Sequence, residues 1–153
     1  MAVAYGSHSI TSAENTTSVA ATKPSSLALG DLQVCYLIGS EFTDITAISA
    51  STPAGWTSLG ETDSGLGGDS ILAAFAKIAD SSDVAASTFT FAFDDTMEKI
   101  TAMLVRVTTT SSFTDVTSQV VATLATDVST GGENSISASG LVPTRSSSLL
   151  LIG

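Results

Sequence analysis

Side chains able to do chemistry are sparse in this sequence. It has one histidine, His8, and one cysteine, Cys35. A zinc site takes three or four ligands, usually His or Cys, so the chain by itself cannot supply one. One cysteine also excludes an intramolecular disulfide. Nucleophilic catalysis would have to use His8 as its base, and no Gly-x-Ser-x-Gly elbow accompanies it. Cys35, between Val34 and Tyr36 in an apolar run, reads as a buried, inert thiol. The adjacent pair Asp94 and Asp95 could suggest glycoside hydrolysis, which needs two carboxyls ~5–10 Å apart. Neighbours on a strand point to opposite faces, however, and Phe93-Asp94-Asp95-Thr96 reads as a hairpin turn. The acidic loops Asp63 to Asp69 and Asp80 to Asp83 offer oxygen atoms to Ca²⁺, but neither follows the Asp-x-Asp-x-Asp-Gly pattern, and both read as solvated turns. No Gly-x-x-x-x-Gly-Lys-Ser/Thr loop is present for a phosphate. The residues therefore predict a protein that is not an enzyme and carries no cofactor and no metal.

Composition narrows the partners. The 153 residues suit one domain, and 25 serines and 22 threonines far outnumber the charged residues, which make up 13%. That is about half the usual charged share of a soluble domain, roughly 25%. With 43% hydrophobic residues and a mean hydropathy of +0.38, the chain can build a core. Its net charge of −10 repels phosphate backbones and anionic lipid surfaces, so neither nucleic acid nor membrane is expected as a partner. The N-terminus lacks a basic start followed by an apolar stretch, so no secretory signal is read.

The elements that would position any site are strands. Short period-two runs separated by Gly, Pro, Ser and Asp predict an all-β, antiparallel sandwich or jelly-roll-like fold. Asp31 to Ile38 places Leu32, Val34, Tyr36 and Ile38 on one face and Gln33, Cys35 and Leu37 on the other, as in a central strand. Thr88 to Phe93 aligns Phe89, Phe91 and Phe93 on one side. Ile100 to Val107 and Ser118 to Leu124 are β-rich, and further strands are expected near Ser18 to Ala21, Trp56 to Glu61, Ser135 to Ala138 and Ser148 to Ile152. The segment Ile71 to Ala79 is ambiguous: its alanines and an Asp/Ser cap favour a helix, while alternation of Ile71, Ala73 and Phe75 with Leu72, Ala74, Ala76 and Ile78 fits a strand. A strand is preferred because it lies between strand-rich halves. One core is predicted from Leu32, Val34, Tyr36, Trp56, Phe75, Phe89, Phe91, Phe93, Leu104 and Val107.

Three portions follow from this reading: an N-terminal arm over 1–17, a β-sandwich domain over 18–147, and the start of a further strand over 148–153. The apolar ending Ser148-Leu149-Leu150-Leu151-Ile152-Gly153 and a weak echo of Lys23 to Gly39 in Pro143 to Gly153 lead to the expectation that the native chain continues. The arm residues Met1, Ala2, Val3, Ala4, Tyr5, Gly6, Ser7, His8, Ser9 and Ile10 are the candidate partner-binding residues, because they are polar, poor in core positions and able to add a strand to a partner's sheet edge.

The order Lys23-Pro24-Ser25, Gly30-Asp31-Leu32-Gln33-Val34, Pro53-Ala54-Gly55-Trp56-Thr57, Ala74-Phe75-Ala76-Lys77-Ile78-Ala79 and Ser87-Thr88-Phe89-Thr90-Phe91 resembles a family of β-rich tailed-phage virion proteins of head-decoration, head-fibre and tail-fibre types. The resemblance covers about Val19 to Val107, and Pro-Ala-Gly-Trp-Thr is its most specific block. The loop between Ile38 and Pro53 departs from it. The resemblance implies a strand over Ala74 to Ala79, a second half beginning near where this chain stops, and a structural role. It points to a capsid decoration (cement) or head-fibre protein made in the host cytoplasm and placed on the capsid surface. Its implied partners are the major capsid protein or other virion proteins, and the implied assembly is a homotrimer. A tail-fibre protein and a carbohydrate-binding module recognising a host glycan are the alternatives. A concave cluster of Trp56, Tyr5, Tyr36 and acidic loops would favour the glycan, and a flat Ser/Thr/Ala face would favour assembly.

Overall fold

The structure, a computed structural model, describes residues 3–41, 48–63, 70–110 and 113–116. It is an all-β fold: β1 (Val3–Thr22), β2 (Leu32–Ser40), β3 (Ala50–Ser51), β4 (Thr57–Asp63), β5 (Ser70–Ile78) and β6 (Thr88–Thr109), with one short helix α1 (Ser81–Ala85). All pairings are antiparallel, in the order β1-β6-β2-β5-β4, with β3 on β6. The six strands of the described residues form an antiparallel sandwich. The strands expected near Ser118 to Leu124, Ser135 to Ala138 and Ser148 to Ile152 lie outside the described residues, as do the terminal portion over 148–153 and most of the later sandwich range.

Two very long strands make the sandwich by folding over. The register of β1 on β6 runs from Val3↔Thr109 to Thr16↔Met97 and resumes at Ser18↔Ala92, so the four residues Phe93 to Thr96 stand against the single Thr17 and bend β6. Asn15 takes a left-handed φ of 50° at the matching bend of β1, a conformation Asn tolerates better than most residues. Beyond the bend, Ser18 to Thr22, Thr88 to Phe93 and β3 form a second layer. Its Val19, Ala21, Phe91 and Phe93 pack against Cys35, Leu37, Phe75 and Leu104 of the main sheet. Phe91 is fully buried between Trp56, at 5.0 Å, and Phe75, at 5.9 Å between ring centroids.

The alternation read from the sequence holds in β2, β5 and β6, and Ser70–Ile78 is a strand. β2 is central, paired along both edges by β6 and β5, and most of its side chains are buried, Ile38 being the exposed one. The predicted single core is two clusters, one on each face of the main sheet. Cys35, Leu37, Phe75 and Leu104 lie inside the sandwich, whereas Leu32, Val34 and Val107 lie on the outer face under Phe113. Tyr36 and Phe89 are half-buried rather than core.

Three expectations are corrected. Residues 3–17 are not an arm: they belong to β1, and the backbone ladder to β6 holds them although few of their side chains are apolar. Asp94-Asp95 is not a hairpin turn but the bend inside β6. Asp80 to Asp83 is not a plain turn. The Asp80 side chain accepts the Ser82 and Asp83 amides at 2.8 and 3.0 Å, Asp83 accepts the Asp80 amide at 2.9 Å, and this reciprocal cap starts α1.

Two glycine turns lead into β2 and β4. Gly30 (φ 84°) and Gly55 (φ 79°) take positive φ, and the amides of Asp31 and Trp56 close the turns onto Ala28 and Pro53 carbonyls at 3.1 and 3.0 Å. A third turn residue with positive φ is what a type II turn requires. In the Pro53-Ala54-Gly55-Trp56 block this turn drives the indole inward.

Candidate interaction surface

The functional question centres on the outer face of the main sheet. Register fixes its rows across β1, β6, β2 and β5: Tyr5, Val107, Leu32, Ile78; then His8, Val105, Val34, Ala76; then Ile10, Met103, Tyr36, Ala74; then Ser12, Thr101, Ile38, Leu72. None of these positions is Asp, Glu, Lys or Arg. Phe113 and the partly buried Val116 cover the end bearing Leu32, Val34, Val105 and Val107. The rest of the face is open: Tyr5, Ile10 and Ile38 are 52%, 60% and 43% exposed, beside half-buried Tyr36 and Met103. A fifth row, Glu14, Lys99 and Ser40, closes the face with charge.

Of the partner-binding residues expected from the sequence, Met1 and Ala2 lie outside the described residues. The other eight form the start of β1 and divide between its faces. Tyr5, His8 and Ile10 belong to the outer face. Ser7 and Ser9 turn inward, where the Ser7 hydroxyl donates to the Ser25 carbonyl at 2.8 Å and the Ser9 hydroxyl to that of Thr22. The Thr22 amide donates to Thr11 Oγ1 at 3.1 Å. Hydroxyls of β1 thus stitch the two layers at this edge, a structural use for part of the Ser/Thr content. Tyr5 OH and His8 Nδ1 share a hydrogen bond of 2.5 Å on the exposed face.

Residues tested for chemistry are engaged in structure. Asp94 accepts the Ser49 amide at 2.8 Å and its hydroxyl at 3.1 Å, which hold its carboxyl below the usual carboxylate range. Asp95 accepts the Thr96 amide at 2.6 Å. Asp80 is lowered by the Ser82 hydroxyl, the Asp83 amide and Lys77. Burial pushes the Cys35 thiol far above its usual range, so thiolate is suppressed. Among the described residues no group of three His, Cys, Asp or Glu could hold a metal ion. A recess of ≈ 290 Å³ is lined by Glu14, Asn15, Glu41, Glu98 and Lys99, all polar and with one cation among three carboxylates.

Rings that would have made a sugar platform are separated. Trp56 is buried in the inner core, edge-on to Phe89 and Phe91, while Tyr5 and Tyr36 belong to the outer face. The sequence reading named Ile10 as partner-binding but missed Ile38 and Met103, which share its surface. Their period-two positions were visible, but the ladder register that aligns them was not. Compared with protein-family models, with curated proteins and with solved structures, the chain matches none of them.

Proposed function

We propose that this chain is a non-catalytic structural protein of a tailed-phage virion, a capsid decoration or head-fibre protein that packs its outer sheet face against other virion proteins. The observation that carries this reading is the uncharged outer face, in a chain of net charge −10. Charge is kept elsewhere: Arg106 pairs with Asp31, and Lys77 with Asp80 and Asp83, at one end of the inner face. A neutral face can be covered without removing ions from water, a step that costs several kcal/mol per ion. Exposed Tyr5, Ile10 and Ile38 give such a contact its apolar area. The resemblance in the Pro53-Ala54-Gly55-Trp56-Thr57 block supports the virion setting, with the major capsid protein as the first partner to test and the capsid surface as the location.

The experiment is quantitative protein analysis of purified particles. A copy number comparable to that of the major capsid protein supports decoration, and a handful per particle moves the protein to a tail fibre. Absence from particles overturns the reading. Ile38→Lys should lower occupancy without altering the circular dichroism spectrum.

A further inference from the structure

We propose that the free edge of β1 pairs antiparallel with the same edge of a second copy of this chain, about a two-fold axis at Ile10, so that two main sheets become one. This inference stands apart from the virion reading and needs no phage partner.

β1 pairs with β6 on one side and with no described strand on the other. Open edges invite pairing, and proteins usually block them with Lys, Pro, inward charges or bulges. The stretch Ser7-His8-Ser9-Ile10-Thr11-Ser12-Ala13 has none of these, since the irregularities of β1 fall outside it, at Tyr5/Ser7 and Thr16/Ser18. The opposite edge, β4, is interrupted between Ser58 and Gly60 and carries Glu61 and Asp63 in its sequence. Among the described residues, β1 is thus the edge of the main sheet that is left suitable.

The β1 edge is also held in place. Its inward hydroxyls at Ser9 and Thr11 are tied to Thr22 of the folded-over layer and that of Ser7 to Ser25 in the turn that follows, so little ordering cost remains for a strand that docks there. On the outer face the row Ala74, Tyr36, Met103, Ile10 runs to this edge and stops at an isoleucine that is 60% exposed.

Self-complementarity identifies the occupant. A two-fold axis at Ile10 sets Ile10 against its copy, Ser9 against Thr11, His8 against Ser12 and Ser7 against Ala13. Each pair joins residues of the same face, as a ladder requires, and an isologous contact of this kind closes at two copies. The outer-face row then continues through Ile10 into the second Met103 and Tyr36. Two chains of net charge −10 repel least along a strand segment with no charge of its own. Glu14, the first acidic residue, falls opposite Gly6.

Sedimentation of the full chain and of Ile10→Lys tests this, with Ile10→Cys as an independent geometric probe. Cys35 is buried, so Ile10→Cys supplies the accessible thiol. The wild type should sediment at twice 15.4 kDa and Ile10→Lys at that mass once, with an unchanged circular dichroism spectrum. Ile10→Cys should form an interchain disulfide under mild oxidation, because facing residues of an antiparallel pair lie about 4.5–5.5 Å apart. Leu29→Cys, 71% exposed on a turn, should cross-link only at the rate of random collision. A monomeric wild type, a threefold mass, a doubled mass retained in Ile10→Lys, or equal cross-linking of the two cysteine variants would each overturn the proposal.

Discussion

Gln33 lies directly opposite Arg106 in the β2–β6 ladder, and although its side chain is fully buried, neither of its amide atoms has a hydrogen-bond partner. The Arg106 guanidinium is taken by Asp31, at 2.6 Å from Nε. On the other side Gln33 faces Lys77, which is held by Asp83 at 2.8 Å and Asp80 at 3.1 Å. The inner face thus ends in a polar row whose ions are paired and whose central amide is not.

Replacing that amide should stabilise the fold. An unsatisfied buried polar group costs ~1–3 kcal/mol, so Gln33→Leu should raise the unfolding free energy by about 1 kcal/mol or more, measured by urea titration. A loss of stability would show that the amide is engaged after all.

Core packing around Phe91 yields a second expectation. The ring is fully buried between Trp56 and Phe75, and Phe91→Ala should cost ~3–5 kcal/mol. Phe89→Ala, on the same strand but half-buried, should cost clearly less. Equal losses would mean that the two rings share the core evenly.

Gly39 is a third test, because space rather than backbone conformation demands glycine there. A Cβ at this position would stand 2.6 Å from Met97 Cε and 2.7 Å from Phe93 Cε2. Overpacking of this kind typically costs ~1–3 kcal/mol. Gly39→Ala should therefore destabilise, and shortening the neighbour in Gly39→Ala with Met97→Ala should cost less than the sum of the single changes. Strict additivity would place the strain elsewhere.

Stability should fall in acid through Asp80 and Asp94. Both carboxyls lie below their ordinary value of 3.8 in the fold, Asp80 through the Ser82 hydroxyl first and Asp94 through the Ser49 amide first. A depressed folded value means that the stabilisation is fully present above the unfolded value and is lost as pH falls through the folded one. Lys77 behaves in the opposite sense. Burial works to lower its pKa, but hydrogen bonds and charge from Asp83 and Asp80 raise it above 10.5. Its contribution is present below that value and lost as the medium turns strongly alkaline. Thermal melts from neutral pH down to pH ~2 should show a smaller drop for Asp80→Ala with Asp94→Ala than for the wild type. An equal drop would locate the acid sensitivity in other carboxyls.

Local pattern carried the strand assignments. In Asp31 to Ile38 and Thr88 to Phe93 alternation alone reports which side chains share a face, since a strand has a period of two whatever it pairs with. The same alternation, rather than the alanine-rich propensity, describes Ile71 to Ile78, because pairing on both sides by β2 and β4 overrides a weak helical preference. The segment 3–17 reads as part of an arm over 1–17 for the converse reason. Its stability comes from a backbone ladder to residues nearly a hundred positions away, and backbone pairing leaves little trace in side-chain type.

The sequence by itself determined an all-β chain, the two faces of its main strands, the inward placement of Phe91 and Phe93, and the shortage of groups for metal or nucleophilic chemistry. Tertiary structure alone decided that β1 and β6 fold over at Asn15 and Asp94, and that the apolar residues divide into two clusters. It alone aligned Ile10, Met103 and Tyr36 in one open row. The physical reason is the same in each case. A strand's own period is local, whereas register, bends and the choice of which face is covered depend on contacts between residues far apart in the chain.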